Sequence, residues 1–277
     1  MSTLAETVLD ELLEALDNDE LILPTLPEVA LRVRETAEDP NSSIADLCKV
    51  IGKDAAITAR LIKVVNSPLL RCSGEVTDLN MAVSRLGINY TSNLATGLAM
   101  EQMFQATSDV IDQKMRDVWN KSTEIAGISH VLCRHYTKLT PDQATLAGLV
   151  HQIGVLPILT YAEESNALLK DAISLSYIIE RIHPVIGERI LRAWDFTEQI
   201  AEVPGNYLDF GRQSSSVDYV DIVQVATLHS YAGSSHPLGQ IDWQQVPAFA
   251  QLGIDVNSQL ENDDLSEAMT AAQQMLK

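Results

Sequence analysis

The sequence predicts an all-α protein, an orthogonal multi-helix bundle. Three observations carry that prediction. Apolar residues recur at three- and four-residue spacing along most of the chain, and helix-start and helix-stop residues punctuate the pattern at short intervals. No convincing stretch alternates apolar and polar residues as a half-buried strand would. Hydrophobic residues make up 46% of the chain but aromatic ones only 5%, so aliphatic side chains must fill the core. The 277 residues suit one large domain or two lobes, at roughly 150 residues per domain.

Each element follows from local signals. Leu4, Val8, Leu12 and Leu16 form the first stripe, widened by Leu9 and Leu13, and Asn18-Asp19 ends that helix. Leu23-Pro24-Thr25-Leu26-Pro27 reads as an extended approach. Pro27 suits the first turn of the next helix, where a missing N–H costs nothing. That helix faces inward with Val29, Val33 and Ala37 and stops at Asp39-Pro40. Ser43-Ile44-Ala45-Asp46 is a capping-box variant opening a short helix to Gly52. Asp54 caps a helix with the buried stripe Ile57, Leu61, Val64 and Val65, ended by Asn66-Ser67-Pro68. Two helices then flank Gly87, one containing Met81 to Leu86 and one from about Tyr90 to Phe104.

A long helix covers roughly Asp112 to Tyr136, with Val118, Ser122, Ile125, Ser129 and Leu132 inward. Thr140-Pro141-Asp142-Gln143 reads as a helix start, with Thr140 as cap and Gln143 reaching back. Its helix carries Ala144, Ala147, Gly148, His151 and Val155 on one face until Pro157 kinks or ends it. His183-Pro184 reads as the start of a helix bearing Ile186, Ile190 and Trp194. Thr197 caps a short helix, Val220 to Tyr231 is the last core helix, and Ala248 to Lys277 is an acidic helical tail.

The formal charge is −19, with acids crowding the first 40 positions and a second group at Glu261, Asp263, Asp264 and Glu267. Such a field repels phosphate backbones, so nucleic acid is not an expected partner. The acids read as a solvated surface, with an acidic face for a basic partner as the other reading. Cys48, Cys72 and Cys133 are odd in number and form no CxxC, which suits a reducing, cytoplasmic compartment. The N-terminus lacks a basic n-region, and no run reaches the roughly 18 apolar residues of a membrane span, so no membrane association is expected.

Three motifs carry a family resemblance. Leu23-Pro24-Thr25-Leu26-Pro27-Glu28-Val29-Ala30 looks like the opening segment of the HDOD family. The stretch from Asp54 through Arg60-Leu61 to Asn66-Ser67 looks like its central helix motif, and Ala82-Val83-Ser84-Arg85-Leu86-Gly87 like the next. The later part is similar to the core of HD-superfamily metal-dependent phosphohydrolases, on which that family is built. The resemblance implies an HD-domain-like helical core with an N-terminal HDOD lobe. It divides the chain into 1–20, an acidic helix; 21–110, the HDOD lobe; 111–235, a degenerate HD-like core; and 236–277, the tail. The residues themselves give Asp54 a helix cap, Arg60 an acid on a neighbouring helix, and Asn66 a helix end where left-handed backbone is tolerated. Gly87 and His183 belong to the same set, which either holds the fold together or forms a recognition surface.

An HD phosphohydrolase holds its metal with a first His, a His-Asp dyad and a final Asp, because imidazoles and carboxylates bind the cation that activates water. The resemblance aligns the first His with Lys121, in Trp119-Asn120-Lys121-Ser122. It aligns the dyad with His151-Gln152, in Gly148-Leu149-Val150-His151-Gln152-Ile153-Gly154, and the final Asp with Thr227. A following His-Pro matches His183-Pro184, but the His pair that the family carries about 20 residues on is replaced near Asn206-Tyr207. One ligand of four remains, so neither a metal nor another cofactor is expected. His151 is expected to be a core histidine satisfied by a hydrogen bond, and His183 a helix-start residue. Asp218 and Asp221 could build a substitute site. No GxGxxG, P-loop or GxSxG supplies other chemistry.

The expected function is therefore a non-catalytic bacterial signal-transduction module acting by protein–protein interaction. The resemblance implies partners in cyclic-di-GMP or two-component pathways, since these residues leave no room for a receiver or cyclase domain. A homo-oligomer is compatible with the sequence. Two alternatives stand: a metal-dependent phosphohydrolase acting on a nucleotide or cyclic dinucleotide, and a sensor holding a nucleotide in the old cleft with Lys121 beside its phosphate.

Overall fold

Capping side chains open several of the N-terminal helices. In the computed structural model the described residues are 3–18, 20–70, 74–256, 263–273 and 276, with the backbone alone described at 3, 4, 166, 263–266 and 273. The chain forms α1 (Thr3–Asp17), α2 (Glu28–Glu38), α3 (Ile44–Ile51), α4 (Ala55–Val65), α5 (Leu79–Leu86) and α6 (Ile88–Ala99). Ser43 and Asp46 make the reciprocal box of α3. Asp54 accepts from Ala56 N at 2.9 Å and Ile57 N at 3.0 Å, and Asp78 accepts from Met81 N at 2.9 Å. Gly87, at φ 82°, ends α5 and begins α6, a backbone conformation that costs glycine little.

The second half holds α7 (Asp109–Tyr136), α8 (Pro141–Val150), α9 (Val155–Glu164), α10 (Asn166–Leu169), α11 (Ala172–Ala193), α12 (Glu198–Ala201), α13 (Val203–Asn206), α14 (Tyr219–Tyr231), α15 (Pro247–Gln251) and α16 (Asp263–Gln273). No strand occurs among the described residues. The fold is the all-α bundle that the periodicity predicts. α7 is its central strut, with α8, α14 and α16 packed on it. α6 bridges α2 and α8, joining the two halves, and α1 lies along α11. One apolar cluster runs from Val8 to Leu276, and Val65, Val76 and Ala82 form a small second one.

Several local expectations need correction. Thr140 makes no side-chain cap; its hydroxyl is 2.9 Å from the Tyr219 hydroxyl instead. His183-Pro184 does not start a helix but lies inside the 22-residue α11, where Pro184 deletes one rung of the backbone ladder. The helix from Pro141 stops at Val150, and a turn at 151–154 precedes α9, leaving Pro157 in a first turn, where its missing N–H is harmless. Residues 141–164 are in fact long and apolar enough by composition to cross a membrane, but 83% of their most apolar 18-residue stretch is buried inside the protein. Asn66 is right-handed (φ −86°), not left-handed. Its amide clamps Val76, accepting from the N–H at 2.9 Å and donating to the C=O at 2.8 Å. Leu4's side chain, Asp19 and Cys72 lie outside the described residues, as does much of the acidic tail; Cys48 and Cys133 are free thiols.

The C-terminus of α11 is tied to the N-terminal half chiefly through Arg34 and Trp194. Arg34 of α2 donates to Trp194 O and Asp195 O, both at 2.7 Å, and lies 4.4 Å over the Phe196 ring. Asp195 takes the left-handed conformation (φ 53°) that ends the helix, and the Trp194 indole donates to Pro24 O at 3.0 Å. A guanidinium suits this place because its planar fork spans two carbonyls and its face stacks on a ring. Arg34→Ala should lower stability by about 1–3 kcal/mol in urea unfolding with an unchanged m-value. Arg34→Lys should recover little of that, and a lysine variant as stable as the wild type would refute the two-carbonyl role.

Candidate functional site

Two close backbone approaches place the aligned residues. At Gly148 a Cβ would lie 2.5 Å from Ala126 Cα, so α8 presses directly onto α7. At Gly154 a Cβ would lie 2.5 Å from Gly187 N and collide with the His183 carbonyl oxygen, so the 151–154 turn sits on α11. These crossings bring His151 and His183 together, and the Tyr207 ring stands between them. Its centroid is 4.7 Å from the His151 ring and 5.8 Å from the His183 ring, both in edge-to-face geometry. All three side chains are buried.

The hydrogen bonds settle the neutral tautomers. His183 Nδ1 is 2.6 Å from Ile179 O, and a carbonyl only accepts, so Nδ1 carries the proton. Nε2 then accepts from the Tyr207 hydroxyl at 2.7 Å. His151 Nδ1 likewise donates to Gly148 O at 2.7 Å, while its Nε2 has no partner among the described residues. The expected satisfied core histidine is thus satisfied on one nitrogen only. Burial, which penalises the imidazolium, pushes His151 down to about 3 and His183 to about 4. The same desolvation raises the Tyr207 phenol, so its proton stays in place.

The other aligned residues do not join this group as ligands. Lys121 is engaged with other partners. Its ammonium donates to Ser230 Oγ at 2.9 Å, pairs with Glu124 at 3.3 Å and lies 4.5 Å over the Tyr231 ring. Gln152 Nε2 is 3.5 Å from the Tyr207 hydroxyl, and its Oε1 is buried without a partner, as is the Thr227 hydroxyl. Asp218 and Asp221 build no substitute site: they share a capping box on α14, and both pair with Arg212. The aligned set therefore offers one imidazole, one amide and one hydroxyl, with no carboxylate and with an ammonium engaged elsewhere. That set does not fit a divalent cation, which needs charged or several imidazole donors. No group of three His, Cys, Asp or Glu suited to a metal exists among the described residues.

Two grooves lie elsewhere. A polar one of about 460 Å³ between the halves is lined by Arg34, Tyr90, Asn93, Asp142 and Phe196, with Asn93 donating to Asp142 at 2.7 Å. A second, of about 500 Å³, lies between α1 and α9. Neither is lined by Lys121, His151, Gln152 or Thr227. The HDOD motifs touch both grooves only at their ends, through Leu86 in the first and Leu23-Pro24 in the second. A further signal, not drawn from the motifs, is Leu21-Ile22-Leu23, an apolar triplet outside any helix.

The HDOD domain model matches residues 23–206, about two thirds of the sequence. The chain belongs to the HDOD family. A proposed metal-dependent phosphohydrolase from Shewanella amazonensis SB2B is 33% identical, superposes with a TM-score of 0.89 and covers 99% of both chains. An HDOD domain protein of unknown function from Geobacter sulfurreducens (18% identity, 92% of this chain and 93% of that one, TM-score 0.60) shares the fold. So does a signal transduction protein from Marinobacter aquaeolei VT8, at 23% identity, 93% of this chain, 60% of that one and a TM-score of 0.65. An uncharacterised protein of Treponema pallidum (strain Nichols) is 24% identical over 64% of this chain; the aligned region spans 36% of that relative's length.

The HDOD motif residues do structural work. Asp54 caps α4 and also accepts from Gln102 at 3.1 Å. Arg60 finds its acid in Glu101 and also donates to Leu276 O at 2.7 Å, holding the end of the chain to α4. The buried histidines make stability depend on pH. An unfolded histidine titrates near 6.5, whereas folded His183 and His151 titrate near 4 and 3. Between those values the unfolded chain binds more protons, so their contribution is complete above about pH 6.5 and is lost as pH falls. Melting temperatures measured from about pH 7 down to 4.5 should fall steadily; a flat profile would refute neutral burial. Tyr207→Phe should cost about 1–3 kcal/mol at neutral pH, because it strips His183 Nε2 of its donor.

Proposed function

We propose that this HDOD protein is a non-catalytic regulatory module that acts in the cytoplasm by binding another signalling protein. The donor set carries the reading. At the aligned metal positions the protein keeps a single histidine, and the ammonium of Lys121 is bound to Glu124 and Ser230. Phosphodiester hydrolysis of the HD type needs a cation to polarise phosphorus–oxygen bonds and generate hydroxide. The family supports a regulatory role, and the resemblance points to a partner in a cyclic-di-GMP or two-component pathway. The name of the Shewanella relative favours the second reading, a metal-dependent phosphohydrolase.

One preparation separates the two. Tag-free protein dialysed against manganese and iron should hold far less than one ion per chain by elemental analysis. It should hydrolyse bis(p-nitrophenyl) phosphate no faster than buffer. About one tightly held ion per chain, lost in His151→Ala, would overturn the non-catalytic reading. Crosslinking in the producing cell should trap a protein partner on the full chain, and repeated failure to trap any would sink the interaction reading.

A further inference from the structure

We propose that the groove between α1 and α9 is the docking site for a basic amphipathic segment of a partner protein, an inference that rests on the protein-interaction reading above. α1 forms one wall. Its buried face, Val8, Leu12 and Leu16, is committed to the core, and Arg189 of α11 donates to Leu16 O. The chain then doubles back: Glu20 N and Leu21 N both donate to Ala15 O, at 2.8 and 2.9 Å. That reversal sets residues 20–24 as the second wall, and α9 closes the groove with Leu156, Pro157 and Tyr161.

The lining is apolar at its base and acidic at its edge. Leu12, Leu21, Leu23, Met103, Leu156 and Pro157 line its interior. Ile22, beside them, is 89% exposed, the most exposed of the large hydrophobic side chains described. A single exposed isoleucine signifies little, but this one borders a cavity of about 500 Å³. Glu11, Glu20 and Glu164 rim the same cavity, and no lysine or arginine lines it. Tyr161 donates to Glu11 at 2.9 Å and fixes one of these carboxylates at the edge.

Charge selects the occupant. A second copy of this chain brings another −19 and its own acidic α1, and an anionic lipid surface or nucleic acid would be repelled in the same way. A small apolar molecule would fill the base and leave three carboxylates without a function. A segment with aliphatic side chains on one face and Lys or Arg beside them satisfies both features. The net charge would also speed its approach, with an on-rate that falls as salt rises.

The probe is a fluorescein-labelled helical peptide of leucine and lysine, titrated by anisotropy against the full chain. Binding should be saturable and weaken at least about tenfold, or roughly 1.4 kcal/mol, in Ile22→Asp and in Glu11→Gln/Glu20→Gln/Glu164→Gln. Ile22 is exposed, so circular dichroism should show both variants folded. A charge-matched control, Glu35→Gln/Glu75→Gln/Asp117→Asn, should stay close to the wild type. Equal loss in that control would reduce the effect to net charge and overturn the proposal. So would unchanged affinity in the groove variants, equal binding of a leucine–glutamate peptide, or no saturable binding at all. If a crosslinked partner is held equally by wild type and Ile22→Asp, the groove assignment fails while the interaction reading stands.

Discussion

The approach of α8 and its following turn to α7 and α11 is the constraint on which the second half depends. Gly148 lets α8 lie on Ala126, and Gly154 lets the turn lie on the His183–Gly187 stretch of α11. Neither crossing leaves room for a methyl group, and backbone cannot move aside as a side-chain tip can. With those distances set, His151 must face α11, and the polypeptide after α13 must deliver Tyr207 into the space between two imidazoles. α7 also receives α14 and α16 along its 28 residues.

That packing also decides the chemistry available inside. Two histidines in an apolar surround stay neutral, each donating Nδ1–H to a carbonyl of its own helix or turn. In a metal site the freed Nε2 lone pairs would be the ligands. Here one of them is taken by the Tyr207 hydroxyl, and the other is buried without a partner among the described residues. The charged residue of the aligned set, Lys121, is drawn out to the end of α14, where a carboxylate, a hydroxyl and an aromatic face compensate its ammonium. The protein thus separates its charges from its buried lone pairs.

The acidic residues divide into those used locally and those left to the surface. Asp46, Asp54, Asp78, Asp171 and Asp218 each cap a helix, where the N-terminal dipole and unpaired N–H groups favour a carboxylate. Glu124 and Asp221 are committed to cations. Glu20 and Glu164, by contrast, stand at the rim of an apolar groove with no cation beside them in its lining. This asymmetry gives one face of an acidic protein a binding character that net charge alone does not.

The sequence by itself determined the all-α class, most N-terminal helix starts and the inward faces of α1, α4 and α7, while the family resemblance, not spacing, aligned Lys121 and Gln152 with metal-ligand positions. The class, the helix starts and the inward faces follow from forces acting within about one or two helical turns, which residue spacing records directly. It misplaced the helix around Pro184, because a proline in a long helix and one at a helix start look alike until packing supplies the difference. Only the tertiary structure decided that Lys121 bonds a serine 109 positions away, that Tyr207 seals His183, and that Ile22 edges a groove. Each of those depends on where two helices cross, and the angle and depth of a crossing arise from the joint packing of many side chains, which no single stretch of sequence encodes.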